Sequence, residues 1–248
     1  MSAASEKYER DVARHLNKAL STYTVTRPGG SMATSDVLLK DSRASKSAWI
    51  EVKMTHADNL ANPRVYYEDQ KWKTTYMSPA AHVAVDHLNK SNQARRFVAD
   101  ISKFTGIPTK TIKISTTKAG WKQPGAVPYH IMQMYFEKCA TNKYIMQEDD
   151  VNLGKLVELH YTQGKSQPAH YLQTGDDFLL IGKADPLKLT AKHRNIPRIG
   201  GIGFLRVRVV IRTLPPVHYE VQVEIKIRDM PRSNYSIKPG TQKINPFL

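Results

Sequence analysis

Apolar residues recur at steps of four near the start of the chain. Tyr8, Val12, Leu16 and Leu20 line one face of a helix over 5–20, with Ser5 placed to cap it. Two apolar runs of strand length follow, 36–39 and 48–54, and the polar segment 41–47 (DSRASKS) between them predicts a turn joining neighbouring strands. The stretch 64–77 is helix-compatible, 82–88 (HVAVDHL) reads as a buried strand, and 91–104 reads as a second helix with Phe97, Ile101 and Phe104 on one stripe. The order helix, strand, strand, helix, strand, helix predicts an α/β layer structure.

The second half has a different texture. The lysine-dotted segment 109–122, with Gly120 and Trp121, reads as extended or loop; a helix is expected over 128–140, and an acidic patch follows at 148–150. Residues 203–212 and 218–227 alternate apolar and polar positions around Leu214-Pro215-Pro216, the pattern of a β-hairpin with one face buried and the other basic. No internal repeat and no Gly-, Ser- or Pro-rich linker interrupts the chain. The expected division is therefore a core over 1–125 and an extension over 126–248, a helix plus a β-hairpin packed on that core.

Charge adds a partner to this outline. The 248 residues hold 37 Lys and Arg against 22 Asp and Glu, a net charge of +15. Such an excess points to a polyanion, with nucleic acid first, because released counterions give affinity without sequence demands. Residues 1–124 carry 20 basic against 11 acidic residues and residues 125–248 carry 17 against 11, so a binding surface is expected to draw on both halves. The single Cys139 excludes an intrachain disulfide and any zinc site needing two thiolates. Without a long apolar run or a signal-peptide pattern, the expectation is an intracellular, cytoplasmic protein away from membranes.

The chemistry sits in Asp36 and, after fourteen intervening residues, Glu51-Val52-Lys53. Alternation puts Glu51 and Lys53 on one strand face, and the strand pair brings Asp36 to the same end. Two adjacent carboxylates repel unless a cation or a proton lies between them. Mg²⁺ suits that place, since it takes one or two protein carboxylates and keeps waters and phosphate oxygens, and Mn²⁺ is expected to substitute. A neighbouring lysine can stabilise charge developing on phosphorus.

Ser35-Asp36-Val37 followed by Ile50-Glu51-Val52-Lys53 resembles the PD-(D/E)XK nucleases, with Ser35 where that pattern usually has proline. The resemblance implies a restriction-endonuclease-like fold, a mixed central sheet flanked by helices, here with a β-rich C-terminal extension. Tyr8-Glu9-Arg10, Arg27, Gly29-Gly30-Ser31 and Gln70 recur in the same order in archaeal-type Holliday-junction resolvases, so the likeness spans about 5–105. It implies that Glu9 joins Asp36 and Glu51 at the metal, that Ser31 contacts DNA from a loop, and that Gln70 lies on a helix near the scissile phosphate. Glu6 competes with Glu9, one turn earlier on the same helix.

Further DNA-contact candidates are Arg27, Lys71 and Lys73, the loop residues Lys118 and Lys122 (with Lys110, Lys113 and Trp121), and Arg206 and Arg208, which alternate with Arg212 on the hairpin. Trp72 reads better as a core anchor. Glu224-Ile225-Lys226, with Asp176, Asp177 and Asp185 upstream, duplicates the acidic pattern but reads as a solvated strand face. His56, His82 and His87 form no metal motif, and Gly200-Gly201-Ile202-Gly203 has no phosphate-cradle context. The expected activity is a Mg²⁺-dependent DNA endonuclease, restriction-type or phage-type, acting as a homodimer because two strands call for two active sites. A branched-DNA resolvase, a non-catalytic nucleic-acid-binding protein and a DNA-binding assembly component docking through Asn245-Pro246-Phe247-Leu248 are the alternatives.

Overall fold

A computed structural model describes residues 3–27, 35–55, 62–114, 123–139, 143–152, 154–163 and 168–248. In chain order the elements are α1 (Ala3–Ala19), β1 (Tyr23–Thr26), β2 (Val37–Asp41), β3 (Ser47–Lys53), β4 (Arg64–Glu68), β5 (Lys71–Lys73), α2 (Pro79–Lys90), α3 (Asn92–Thr105), α4 (Tyr129–Lys138), β6 (Tyr144–Asn152), α5 (Gly154–Gln163), β7 (Tyr171–Thr174), β8 (Asp177–Leu180), the single-turn α6 (Leu189–Lys192), β9 (Ile202–Arg212) and β10 (His218–Ile227). The chain is mixed α/β, as expected. No helix among the described residues is long and apolar enough to cross a membrane.

The chain divides into two units, and neither is contiguous in sequence. The first comprises Met1–Leu60, Asn152–Ile202 and Ile227–Leu248; the second comprises Ala61–Val151 and Gly203–Lys226. The expected boundary at 125/126 therefore falls inside the second unit.

In the first unit, five strands run in the order β1-β2-β3-β7-β8. β1, β2 and β3 form an antiparallel meander, β7 joins β3 in parallel, and β8 closes the edge antiparallel to β7. Alternation sends Val37, Leu39, Ala48, Ile50 and Val52 into one core, shared with Val12, Leu16 and Leu20 from the α1 side. Ser5 lies within α1 rather than at its cap, because the helix already includes Ala3. The C-terminal tail fills the same core: Phe247 packs edge-on against Tyr23, Tyr171 and Phe178, so it is not a free docking residue.

In the second unit the strand order is β5-β4-β10-β9-β6. The expected hairpin is β9 and β10, with Leu205, Val207 and Val209 on one strand and Tyr219, Val221, Val223 and Ile225 on the other buried. Two sequence expectations are corrected in this unit. Residues 64–77 form a hairpin instead of a helix: Val65 is buried, Tyr67 meets Trp72 edge-on at 5.3 Å, and Asp69 and Gln70 make the two-residue turn with φ of 53° and 59°. Trp72 is buried, as a core anchor should be, but on a strand. Residues 82–88 belong to α2 rather than to a strand. Pro79 occupies the first turn, and Ala80, Ala81, Ala84, Val85 and Leu88 are buried at helical spacing, a pattern that a window starting at His82 cuts short. The acidic patch at 148–150 is part of β6.

Candidate active site

The site is built on β2 and β3 in the first unit. The register pairing Val37 with Ile50 carries on to set Asp36 beside Glu51, and Asp36 Oδ2 accepts the Val52 N–H at 2.8 Å. β3 lies between β2 and β7, so Glu51 is only 3% exposed although its side chain leaves the face that carries Ile50 and Val52. Two residues on, Lys53 Nζ donates to Glu51 Oε1 at 2.7 Å. The sequence thus places an acid, an acid and a cation on one side of two neighbouring strands.

Their electrostatics are opposed. Burial, then the neighbouring Glu51 charge, pushes the Asp36 carboxyl up from 3.8 to about 7; Glu9 adds to the rise, while Lys53 and the Val52 N–H pull the other way without reversing it. For Lys53, burial acts to lower the pKa, but Glu51, Tyr161 and Asp36 outweigh it and hold the ammonium well above its ordinary 10.5. Lys53 is therefore a fixed positive charge, and Asp36 is a carboxylate short of positive partners.

Glu9 reaches the neighbourhood from α1. It is 4% exposed, whereas Glu6 is exposed, which decides between the two candidates. Glu9 Oε2 accepts from Arg27 Nη2 at 2.8 Å and from Arg27 Nε at 3.3 Å. Arg27, a DNA-contact candidate, is thus hydrogen-bonded to Glu9. The Glu9 charge reaches Asp36, whose carboxyl it helps to raise, so Glu9 stands beside Asp36 and Glu51 as the candidate third oxygen donor. The two carboxylates of Asp36 and Glu51 already supply hard oxygen donors, the number Mg²⁺ commonly takes from a protein.

Tyr161, which acts on Lys53, and Gln173, on the strand beside β3, escaped the sequence reading. Tyr161 on α5 is fully buried. Gln173 on β7 is also buried: Nε2 donates to the Gly175 carbonyl at 2.9 Å and to Ser236 Oγ at 3.1 Å, while Oε1 accepts the Ile237 N–H at 2.9 Å. Tyr8 donates to the same Gly175 carbonyl at 3.0 Å, and burial pushes its hydroxyl up to about 12. Tyr161 and Gln173 lie more than 100 positions from Lys53, and no local signal marked either, whereas Tyr8 was already legible on the apolar stripe of α1.

Most of the remaining candidates belong to the second unit or fall outside the described residues. Gln70 is on the β4–β5 turn of the second unit, not on a helix after Glu51-Val52-Lys53, since the chain has left the first sheet by then. Lys71 is exposed and Lys73 pairs with Asp69 at 2.5 Å. Arg206 stacks over Phe204 (3.9 Å) and Tyr144 (5.2 Å), Arg208 pairs with Glu224 at 2.8 Å, and Arg212 reaches Glu220 at 3.5 Å. Ser31, His56, Lys118, Trp121 and Lys122 lie outside the described residues. His87 pairs with Glu148 at 2.7 Å. The second acidic pattern disperses: Glu224 belongs to the Arg208 pair, Asp177 is buried between Lys243 (2.7 Å) and Arg232 (3.1 Å), and Asp185 accepts from the Tyr171 hydroxyl. Gly201, at φ +117°, serves packing, since a Cβ there would meet the Asp229 carbonyl oxygen at 2.7 Å.

Comparison with protein-family models, with curated proteins and with solved structures finds no match for this chain in any of the three.

Proposed function

We propose that the chain is a Mg²⁺-dependent DNA endonuclease of restriction-endonuclease-like fold, with its active centre at Asp36, Glu51 and Lys53. The observation that carries this reading is two adjacent carboxylates on neighbouring strands, one buried and one raised in pKa, with a permanently charged lysine hydrogen-bonded on the same face. A mixed sheet with α1 against its meander also agrees with the implied fold. The overall charge of +15 supplies affinity for the phosphodiester backbone.

Asp36 and Glu51 would hold the ion, which supplies Lewis-acid polarisation of a phosphate oxygen and acidifies a water. Lys53 stays protonated, so it acts by placing positive charge against the reacting phosphate and by orienting water, and not as a base. Its bond to Glu51 fixes the ammonium in position before substrate arrives. Glu9, buried, pairs with the partly exposed Arg27, which ties α1 to the residue that follows β1. Cutting both strands would take two such sites, hence a homodimer.

The test is incubation of supercoiled plasmid, a synthetic four-way junction and double-stranded RNA with the protein, in Mg²⁺ and in EDTA. Mg²⁺-dependent plasmid cleavage is expected. Cleavage confined to the junction would assign a resolvase, cleavage of RNA alone a ribonuclease, and salt-sensitive binding of all three without cleavage a non-catalytic role.

A further inference from the structure

The β9–β10 hairpin ends in an apolar tip. No residue from Val210 to His218 is buried, and the neighbouring β6 begins only opposite Val209, whose N–H bonds to the Lys143 carbonyl. The tip, Thr213-Leu214-Pro215-Pro216-Val217, carries no charge; Leu214 is 81% exposed and Val217 45%. The two prolines suit a turn, but the tip has none of the polar turn residues Asn, Asp and Ser, and it sets Leu214 and Val217 beside them in solvent.

The shaft behind the tip is cationic. Residues 203–226 hold Arg206, Arg208, Arg212 and Lys226 against Glu220 and Glu224. Both acids are buried and engaged: Arg64, Arg212 and His218 surround Glu220, and Arg208 binds Glu224. They orient the guanidinium groups without presenting negative charge outward. Arg206 is held flat by Phe204, and the Nε atoms of Arg206 and Arg208 are buried, so it is the terminal Nη groups that can meet a phosphate. Each guanidinium has five N–H donors, so one carboxylate contact leaves donors for phosphate.

We propose that this hairpin is a DNA-deforming wedge, in which Leu214 and the two prolines enter a base step of duplex DNA while Arg206, Arg208 and Arg212 hold the flanking phosphates. Charge complementarity selects this occupant: an apolar tip on an arginine-faced shaft matches an apolar base stack lined by phosphates. The two prolines suit the task physically. They have no N–H, so burying the tip between bases leaves fewer unsatisfied donors than any other dipeptide there would. The proposal rests on DNA as the partner, but it does not need catalysis.

Short duplexes carrying a fluorescent adenine analogue at successive positions test it, with the full chain in EDTA so that nothing is cut. Wild type is expected to bind and to raise fluorescence at one or a few steps through unstacking. Leu214→Ser, a change at an exposed side chain checked by unaltered thermal unfolding, should lose that rise while keeping salt-dependent binding; Leu214→Ala should behave alike. Absence of binding, binding without a rise in wild type, or an undiminished rise in Leu214→Ser overturns the wedge. So does a dimer that Leu214→Ser dissolves with the fluorescence response unchanged, which would give the tip to a second copy. Mg²⁺-dependent cleavage without any rise overturns the wedge alone, and a rise without cleavage overturns the nuclease reading alone.

Discussion

Asp36 is a carboxyl that its own surroundings discourage from ionising. Its folded pKa is raised, so the stability it contributes is full below the unfolded value near 4 and is lost as pH rises through about 7. At pH 8 the wild type bears the whole penalty of a charged Asp36 beside Glu51 and Glu9. Asp36→Asn keeps an acceptor for the Val52 N–H and removes that charge. It should raise the unfolding temperature at pH 8, raise it less at pH 5, and abolish cleavage; an equal gain at both pH values would contradict the charge argument. A second prediction concerns Arg27. Its removal strands Glu9, 4% exposed, without a counter-charge, so Arg27→Ala should cost about 2–3 kcal/mol in denaturant titrations. Adding Glu9→Gln should recover most of that loss, because the uncompensated charge is what costs. Asp36, Glu51 and Lys53 were legible as a candidate site because alternation along neighbouring strands is local, whereas Glu9 was reached only through the family resemblance. The pairing of Arg27 with Glu9 was not legible, since both had independent roles to offer and only packing pairs residues eighteen apart.

Elements were readable where one period dominated. α1 and α3 announce themselves by 3.6-residue spacing, and the β2–β3 and β9–β10 pairs by alternation around polar or proline-containing turns. The failures have the same origin. In α2 the buried alanines precede the segment that looks strand-like, and in 64–73 the charged residues Glu68, Asp69, Lys71 and Lys73 imitate a solvated helix while Val65 and Trp72 alternate inward. The β4–β5 turn requires positive φ at two residues, Asp69 and Gln70, where glycine at the second is the cheaper choice. Gln70→Gly should therefore stabilise the protein by about 0.5–1 kcal/mol and leave plasmid cleavage unchanged. A large loss of cleavage with intact stability would restore Gln70 to the scissile phosphate.

The whole molecule was the least legible scale. The sheet that holds the candidate site is completed by β7, which pairs Glu51 with Leu172 and Lys53 with Thr174 across some 121 residues of chain. Nothing local signals a parallel partner at that distance, so a contiguous core over 1–125 was the natural division, whereas each of the two compact units draws on separate stretches of chain. The C-terminus shows the same effect: Phe247 seals the core of the first unit from the last positions of the chain. Phe247→Ala should cost about 3 kcal/mol, read as a lower denaturant midpoint, whereas a docking residue would leave stability untouched.

The site itself is tested most directly by the rate at which equal amounts of folded wild type, Glu51→Gln and Lys53→Ala nick supercoiled plasmid in Mg²⁺. Wild type should cut, and each variant should be slower by about a hundredfold or more while keeping its affinity for DNA. Cutting by both variants at the wild-type rate would contradict the Asp36–Glu51–Lys53 site.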